Sequence, residues 1–230
     1  MNYLEPLLVS MKTVAATTVV TFFLGIAAAR WMARYNGKFK SLIDGLFILP
    51  MVLPPTVVGY GLLLVFGVNG IIGKALLAIG EKVVFSWEAT VIAATVMAFP
   101  IMYMTAKGAF EQVEPNIEAA ARTLGAGEWR IFWTVTLPMA KAGILAATVL
   151  AFARSLGEFG ATLMLAGNIA GKTQTIPIAI YFAIQAGDNQ KAMILCLIVL
   201  AISFISLAAI AYWNGISKKM KPVKSAEVYS

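Results

Sequence analysis

Five apolar runs, each long enough to cross a lipid bilayer, constrain this chain more than any motif in it. A crossing helix needs about 20 apolar residues, and the runs from Leu7 to Trp31, Leu42 to Phe66, Ala89 to Ala109, Ala142 to Leu165 and Ala192 to Tyr212 all reach that length. A spanning segment has no water to bond with, so its backbone must be satisfied internally. The runs therefore predict an all-α polytopic membrane protein of about five transmembrane helices. Composition agrees: of 230 residues, 60% are hydrophobic and 13% charged, more apolar surface than one water-soluble core of this size could bury. Cys196 is the single cysteine and histidine is absent. Disulfide frameworks, His/Cys metal sites and histidine-based catalysis are thereby excluded, and no cofactor or metal is expected on this chain.

The net charge of +7 sits beside the apolar runs instead of along one polar face, which favours lipid and membrane orientation over nucleic acid as its cause. Arg30, Arg34, Lys38 and Lys40 close the first run. Lys107, Arg122 and Arg130 follow the third, and Lys218, Lys219, Lys221 and Lys224 follow the last. The positive-inside rule then puts the amino terminus outside and the carboxyl terminus inside, with residues 7–213 as the transmembrane domain and 214–230 as a short basic cytoplasmic tail. The first run does not read as a signal peptide: no basic region precedes it, it is too long, and no small-residue cleavage site follows.

The second run is interrupted by Pro50, Pro54, Pro55, Gly59 and Gly61. Proline frees backbone carbonyls that lipid cannot satisfy, so this helix is expected beside a polar pathway, with Pro54, Pro55 and Thr56 lining it. Ile71 to Ile79 is too short to span and should lie on the surface or dip in. In the fourth run Gly143, Ala147, Ala151 and Ser155 recur every four residues. Such a stripe suits close helix packing, within one chain or across a dimer. Beside it Arg154, Glu158 and Thr162 form a polar stripe, and a rise of about 1.5 Å per residue puts Arg154 roughly 20 Å beyond Lys141. Charge at that depth is normally paired or faces water. Arg154 and Glu158 can pair with each other, or Arg154 can present positive charge, with Ser155 and Thr162 as hydroxyl donors, along a route for a small oxyanion. Ala166 to Thr173, AGNIAGKT, fits a phosphate-binding loop only loosely. Pro177 falls where the required helix would form its first turns, and the positive-inside count places the segment away from cytosolic ATP, so no nucleotide site is expected there. Ile176 to Ala186 reads as a short surface helix, followed by a turn at Gly187, Asp188 and Asn189.

Between the third and fourth runs lies a polar stretch, Glu114 to Pro138. Pro115 is placed to open a short helix and Gly125 to close it, and a second short helix is expected from Glu128 to Val135. Ala119, Ala120 and Ala121 permit close approach of a partner, with Glu118 and Arg122 offering charge at the rim. The register of Glu118, Ala119, Ala120, Gly125, Phe132, Leu137 and Pro138 resembles the EAA loop of ABC-type importer permeases, a cytoplasmic helix pair that couples to a separate ATPase subunit. LPMVLPPTVVGYGL (Leu49 to Leu62) and AFARSLGEFGATLMLAGNIAGKTQTIP (Ala151 to Pro177) are similar to the permease subunits of molybdate importers. The resemblance implies a type I ABC importer permease fold and a homodimer of this chain. It further implies two cytoplasmic ATP-binding subunits that carry ATP and Mg, and an external binding protein delivering molybdate or tungstate. Sulfate permeases share the coupling loop, so the anion's identity rests on Arg154 to Pro177. A membrane-embedded enzyme would need more converging polar residues than Arg154 and Glu158, and an ion-coupled secondary anion transporter would be expected to show inverted repeats.

Overall fold

The computed structural model describes residues 3–219. Among them the regular structure is helical: α1 (Leu4–Arg34), α2 (Lys40–Val52), α3 (Pro55–Phe66), α4 (Ile71–Ala78), α5 (Trp87–Glu111), α6 (Pro115–Thr123), α7 (Glu128–Ile131), α8 (Leu137–Leu156), α9 (Gly160–Ala166), α10 (Ile176–Gln185) and α11 (Asn189–Lys219). A π-turn over Phe132–Thr136 joins α7 to α8. The predicted basic tail lies, from residue 220 onward, outside the described residues.

The centre is α5, whose Ala89, Ala93, Ala94, Ala98 and Ala106 are buried. Lipid supplies no hydrophobic drive between helices, so their approach depends on small side chains and close packing. At Gly25 of α1 an added Cβ would stand 2.5 Å from Met102 Cγ of α5, and at Gly143 of α8 it would stand 2.4 Å from Ala109 Cβ. Ala147 and Ala151 join the same cluster as Met102 and Tyr103. The small-residue stripe of α8 is therefore used within the chain, against α5.

α1 and α5 run parallel. At one end Thr13 Oγ1 and Thr90 Oγ1 lie 2.9 Å apart and Trp87 Nε1 donates to Thr13 Oγ1 at 3.0 Å; at the other end Arg30 lies over the Phe110 ring. The intervening chain must return, and α2 with α3 is the returning limb. The interruption expected between Leu42 and Phe66 is a bend of 110° between α2 and α3. The cause is local. A residue before proline is driven out of the helical region, so Leu53 (ψ 147°) and Pro54 (ψ 136°) are both extended. Pro55 then opens α3 at the position where a missing N–H costs nothing. Pro50, by contrast, is carried inside α2.

The fourth limb departs from expectation at both ends. It begins at Glu128, because the N–H of Leu137 reaches back five residues to Phe132 O, and this π-turn accommodates Pro138, which has no N–H to offer. The predicted second coupling helix, Glu128 to Val135, is thus the first part of the crossing itself. Its other end is Leu156, where α8 stops; Gly157 and Glu158 break the run before α9. Arg154, Glu158 and Thr162 are not one stripe on a continuous helix.

The last limb, α11, starts beside the first turns of α1, where Leu195 packs with Ile176, Ala179, Tyr3 and Leu7. Five limbs therefore place the first and last described residues at opposite ends. As expected, α10 is a short surface helix, with Ile176, Ile178, Ala179 and Ala183 buried where it packs against α1 and α11 and with Tyr181, Phe182, Ile184 and Gln185 exposed. Gly187, with φ +76°, makes the turn into α11.

Candidate functional site

α6 is held at both ends by backbone logic. Pro115 is its first residue, and its carbonyls are closed by a left-handed glycine: Gly125 (φ +82°) donates to Arg122 O at 2.9 Å and Ala126 to Ala121 O at 3.1 Å. Both bonds belong to the double closure that a glycine after the helix end permits. Ala119, Ala120 and Gly125 are exposed and Leu124 is 88% exposed. An added Cβ at Gly125 would meet nothing within 4 Å. The outer face of the loop is a smooth patch of small residues around one projecting leucine.

Glu118 does not belong to that patch. Its side chain is 13% exposed and turned inward. Oε1 accepts from Arg30 Nη2 at 3.3 Å and from Thr136 Oγ1, and Oε2 from Arg34 Nη2 at 2.9 Å and Arg122 Nη2 at 3.3 Å. Glu128 closes the ring by accepting from Arg34 and Arg122. The charge expected at the rim is instead a fastening between α1, α6 and the start of the fourth limb. Phe132 packs near Phe110, Trp129 and Trp133 at centroid distances of 6.2, 6.4 and 5.3 Å. Leu137 is half-buried and Pro138 exposed.

The residues expected along a pathway converge on two adjacent breaks. An added Cβ at Gly160 would lie 2.9 Å from Pro55 Cβ and 3.5 Å from Thr56 N, and one at Gly59 would lie 2.8 Å from Ala161 Cα. The interruption at Leu53–Pro54 is thus set against the interruption at Gly157–Phe159, with Pro54, Pro55 and Thr56 exposed. Non-helical backbone at membrane depth is tolerated where it is buried in protein or lines a cavity. Arg154 Nη1 lies 2.9 Å from Glu158 Oε2, with the arginine side chain 27% exposed and the glutamate 1%. Glu158 Oε1 also accepts the N–H of Ala161 at 2.9 Å, so one carboxylate fixes the arginine and the start of α9 together. Ser155 is buried with its hydroxyl donating to Ala151 O at 2.7 Å, and Thr162 is buried.

AGNIAGKT is a self-closed turn. The N–H groups of Lys172, Thr173 and Gln174 all point at Ile169 O, so they do not converge on a ligand position. Sequence reasoning missed Asp44, whose carboxylate accepts from Tyr103 Oη and from Lys107 Nζ at 2.6 and 2.7 Å. It ties α2 to α5. The signal was available: Asp44 is the only acidic residue between Glu5 and Glu81, and a lone charge in an apolar run needs a partner.

Residues 22–215 match the family described as binding-protein-dependent transport system inner membrane component. The chain is 45% identical over 217 residues to the molybdenum transport system permease protein ModB of Escherichia coli K12, covering 94% of this chain and 95% of that one. It is 43% identical over 207 residues to the putative molybdenum transport system permease protein YvgM of Bacillus subtilis, covering 90% and 91%. Identity to the sulfate transport system permease protein CysT of Escherichia coli K12 is 34% over 202 residues, covering 88% and 73%. Its fold is that of a bacterial alginate ABC transporter solved in complex with an alginate pentasaccharide-bound periplasmic protein, with TM-score 0.72 at 14% identity, over 98% of this chain and 81% of that one.

Proposed function

Because the chain belongs to the family of binding-protein-dependent transport system inner membrane components, we propose that it is the permease subunit of an ATP-driven importer that moves molybdate or tungstate across the cytoplasmic membrane. The observation that carries the substrate assignment is the 45% identity to a molybdenum permease along 94% of the chain, against 34% to a sulfate permease. In this reading the working unit is a homodimer of this chain with two cytoplasmic ATP-binding subunits and an external binding protein. ATP and Mg reside on the partner subunits, and this chain carries no cofactor. The basic end holding Arg30, Arg34 and Arg122 faces the cytoplasm, which leaves the amino terminus outside.

Transport follows alternating access. Closure of the ATPase pair displaces the patch of Ala119, Ala120, Leu124 and Gly125, and the crossings attached to it tilt. At the paired breaks Arg154 supplies fixed positive charge to the oxyanion, Glu158 orients it, and Pro54, Pro55 and Thr56 form the facing wall. Ser155 and Thr162 reach the anion only in a conformation that opens the junction of α8 and α9. A charge-assisted hydrogen bond is worth about 1.5–3 kcal/mol. Arg154→Gln is therefore expected to slow uptake by roughly tenfold to a hundredfold while the ATPase subunits still co-purify. Unchanged anion uptake in vesicles would remove Arg154 from this role.

Gly125→Leu separates folding from coupling. A left-handed non-glycine residue costs about 1–2 kcal/mol, so the protein should still fold, yet the new side chain stands on the docking patch. ATP-driven uptake is expected to vanish, and normal uptake in that variant would refute the coupling assignment. The functional assignment as a whole is tested in proteoliposomes containing the full complex and its binding protein. Molybdate and tungstate should compete for uptake and sulfate should not. Preferred uptake of sulfate would transfer the chain to the sulfate importers, and uptake without the ATPase subunits would make it a secondary transporter.

A further inference from the structure

Building on the coupling role proposed above, we propose that α1 is a strut driven by the coupling loop. Arg30 and Arg34 grip Glu118, so the displacement received at α6 reaches α1 as well as the two crossings that the loop joins covalently, and α1 delivers it to the external segment at Ile176. Arg30 is the positioning residue of this grip. Its side chain is 15% exposed, and its guanidinium lies 5.5 Å from the centroid of Phe132 and 5.9 Å from that of Phe110. A planar guanidinium held over two rings while bonded to a carboxylate has a fixed orientation that a flexible ammonium lacks. Glu118, with both oxygens occupied by three arginines and Thr136, cannot shift without carrying α1 along.

α1 is suited to transmit what it receives. It is unbroken over 31 residues with its one proline, Pro6, in the first turn, which makes it about 46 Å long. Its outer half is locked to α5 by the Thr13–Thr90 contact, and Ser10 Oγ accepts the N–H of Ile176 at 2.7 Å. That bond joins α1 to the first residue of α10, directly after the turn that follows α9. A motion entering at Glu118 therefore has a continuous physical route to the outer mouth, through one rigid element gripped at both ends.

The test uses the complete complex in proteoliposomes, with ATP hydrolysis and molybdate uptake measured together. Arg30→Met should leave hydrolysis within about twofold of the parent while uptake per ATP falls about tenfold or more, and Arg30→Lys, which keeps the charge but loses the fixed guanidinium plane, should fall between Arg30→Met and the parent. Parallel loss of hydrolysis and uptake in both variants, or normal uptake in Arg30→Met, would overturn the strut. Absence of ATP-dependent molybdate uptake in the parent complex would defeat the functional reading instead. In that event spin labels at Leu24→Cys and Leu124→Cys, in a Cys196→Ser background, still decide the strut. A narrow distance distribution that broadens in Arg30→Met upholds it, and an unchanged one removes it.

Discussion

Glu158→Leu is expected to destabilise the folded chain by about 3–5 kcal/mol, the usual result of removing one partner from a buried ion pair. The glutamate is 1% exposed, and its two oxygens serve Arg154 and the Ala161 amide at 2.9 Å each. Leucine at this position leaves a guanidinium without its counterion and a helix start without its acceptor. The double variant Arg154→Met/Glu158→Leu should recover most of that loss, because an apolar pair of similar volume needs no desolvation. Transport should not recover with it. Unfolding in mixed micelles, measured on both variants, checks the first part, and a Glu158→Leu protein as stable as the parent would mean that the pair does not hold the α8–α9 junction.

Gly59→Leu should cost about 3 kcal/mol, at the upper end of the usual overpacking penalty. Even one added carbon at Gly59 would stand 2.8 Å from Ala161 Cα and 2.8 Å from Met164 Cβ, so backbone must move. The displaced contact is the one that sets the two breaks against each other, and uptake should fall together with stability. Gly61, two residues on, has nothing within 4 Å of an added Cβ. Gly61→Ala should then be neutral or stabilising by up to about 1 kcal/mol, since alanine is the better helix former. Thermal unfolding of the pair gives opposite signs if α3 packs on α9 as described.

Those two glycines show where the sequence stops being readable. Both interrupt the same apolar run, and only the position of α9, about a hundred residues later in the chain, tells them apart. Features that depend on neighbours in sequence were legible: the apolar limbs, the opening of α6 at Pro115, its closure at Gly125 and the turn at Gly187. Prolines were legible only in part. Pro50 is absorbed within α2, whereas Pro54 followed by Pro55 forces two successive extended residues and the 110° bend. Pro138 gave no sign that a π-turn would absorb it and make the loop's second helix continuous with a crossing. The inward turn of Glu118 is hidden in the sequence because its binding groups on α1, Arg30 and Arg34, are 88 and 84 residues away. The inward turn is a tertiary event, settled by three arginines competing for one carboxylate. Fastening by Glu118, which is turned inward, is thus separate from the docking proposed for the exposed Leu124 at the end of the same short helix.

The central claim is that the outer face of α6 takes a push from an ATPase on the cytoplasmic side. Its most direct measurement is cross-linking from a cysteine at Leu124, with Cys196 replaced by serine, in inverted membrane vesicles carrying the whole complex. The account predicts a cross-link to the ATP-binding subunit whose yield changes when ATP is added, with no labelling of the same cysteine by an impermeant maleimide applied to intact cells. Labelling from the exterior of intact cells, without a cross-link to any ATP-binding subunit, would contradict it.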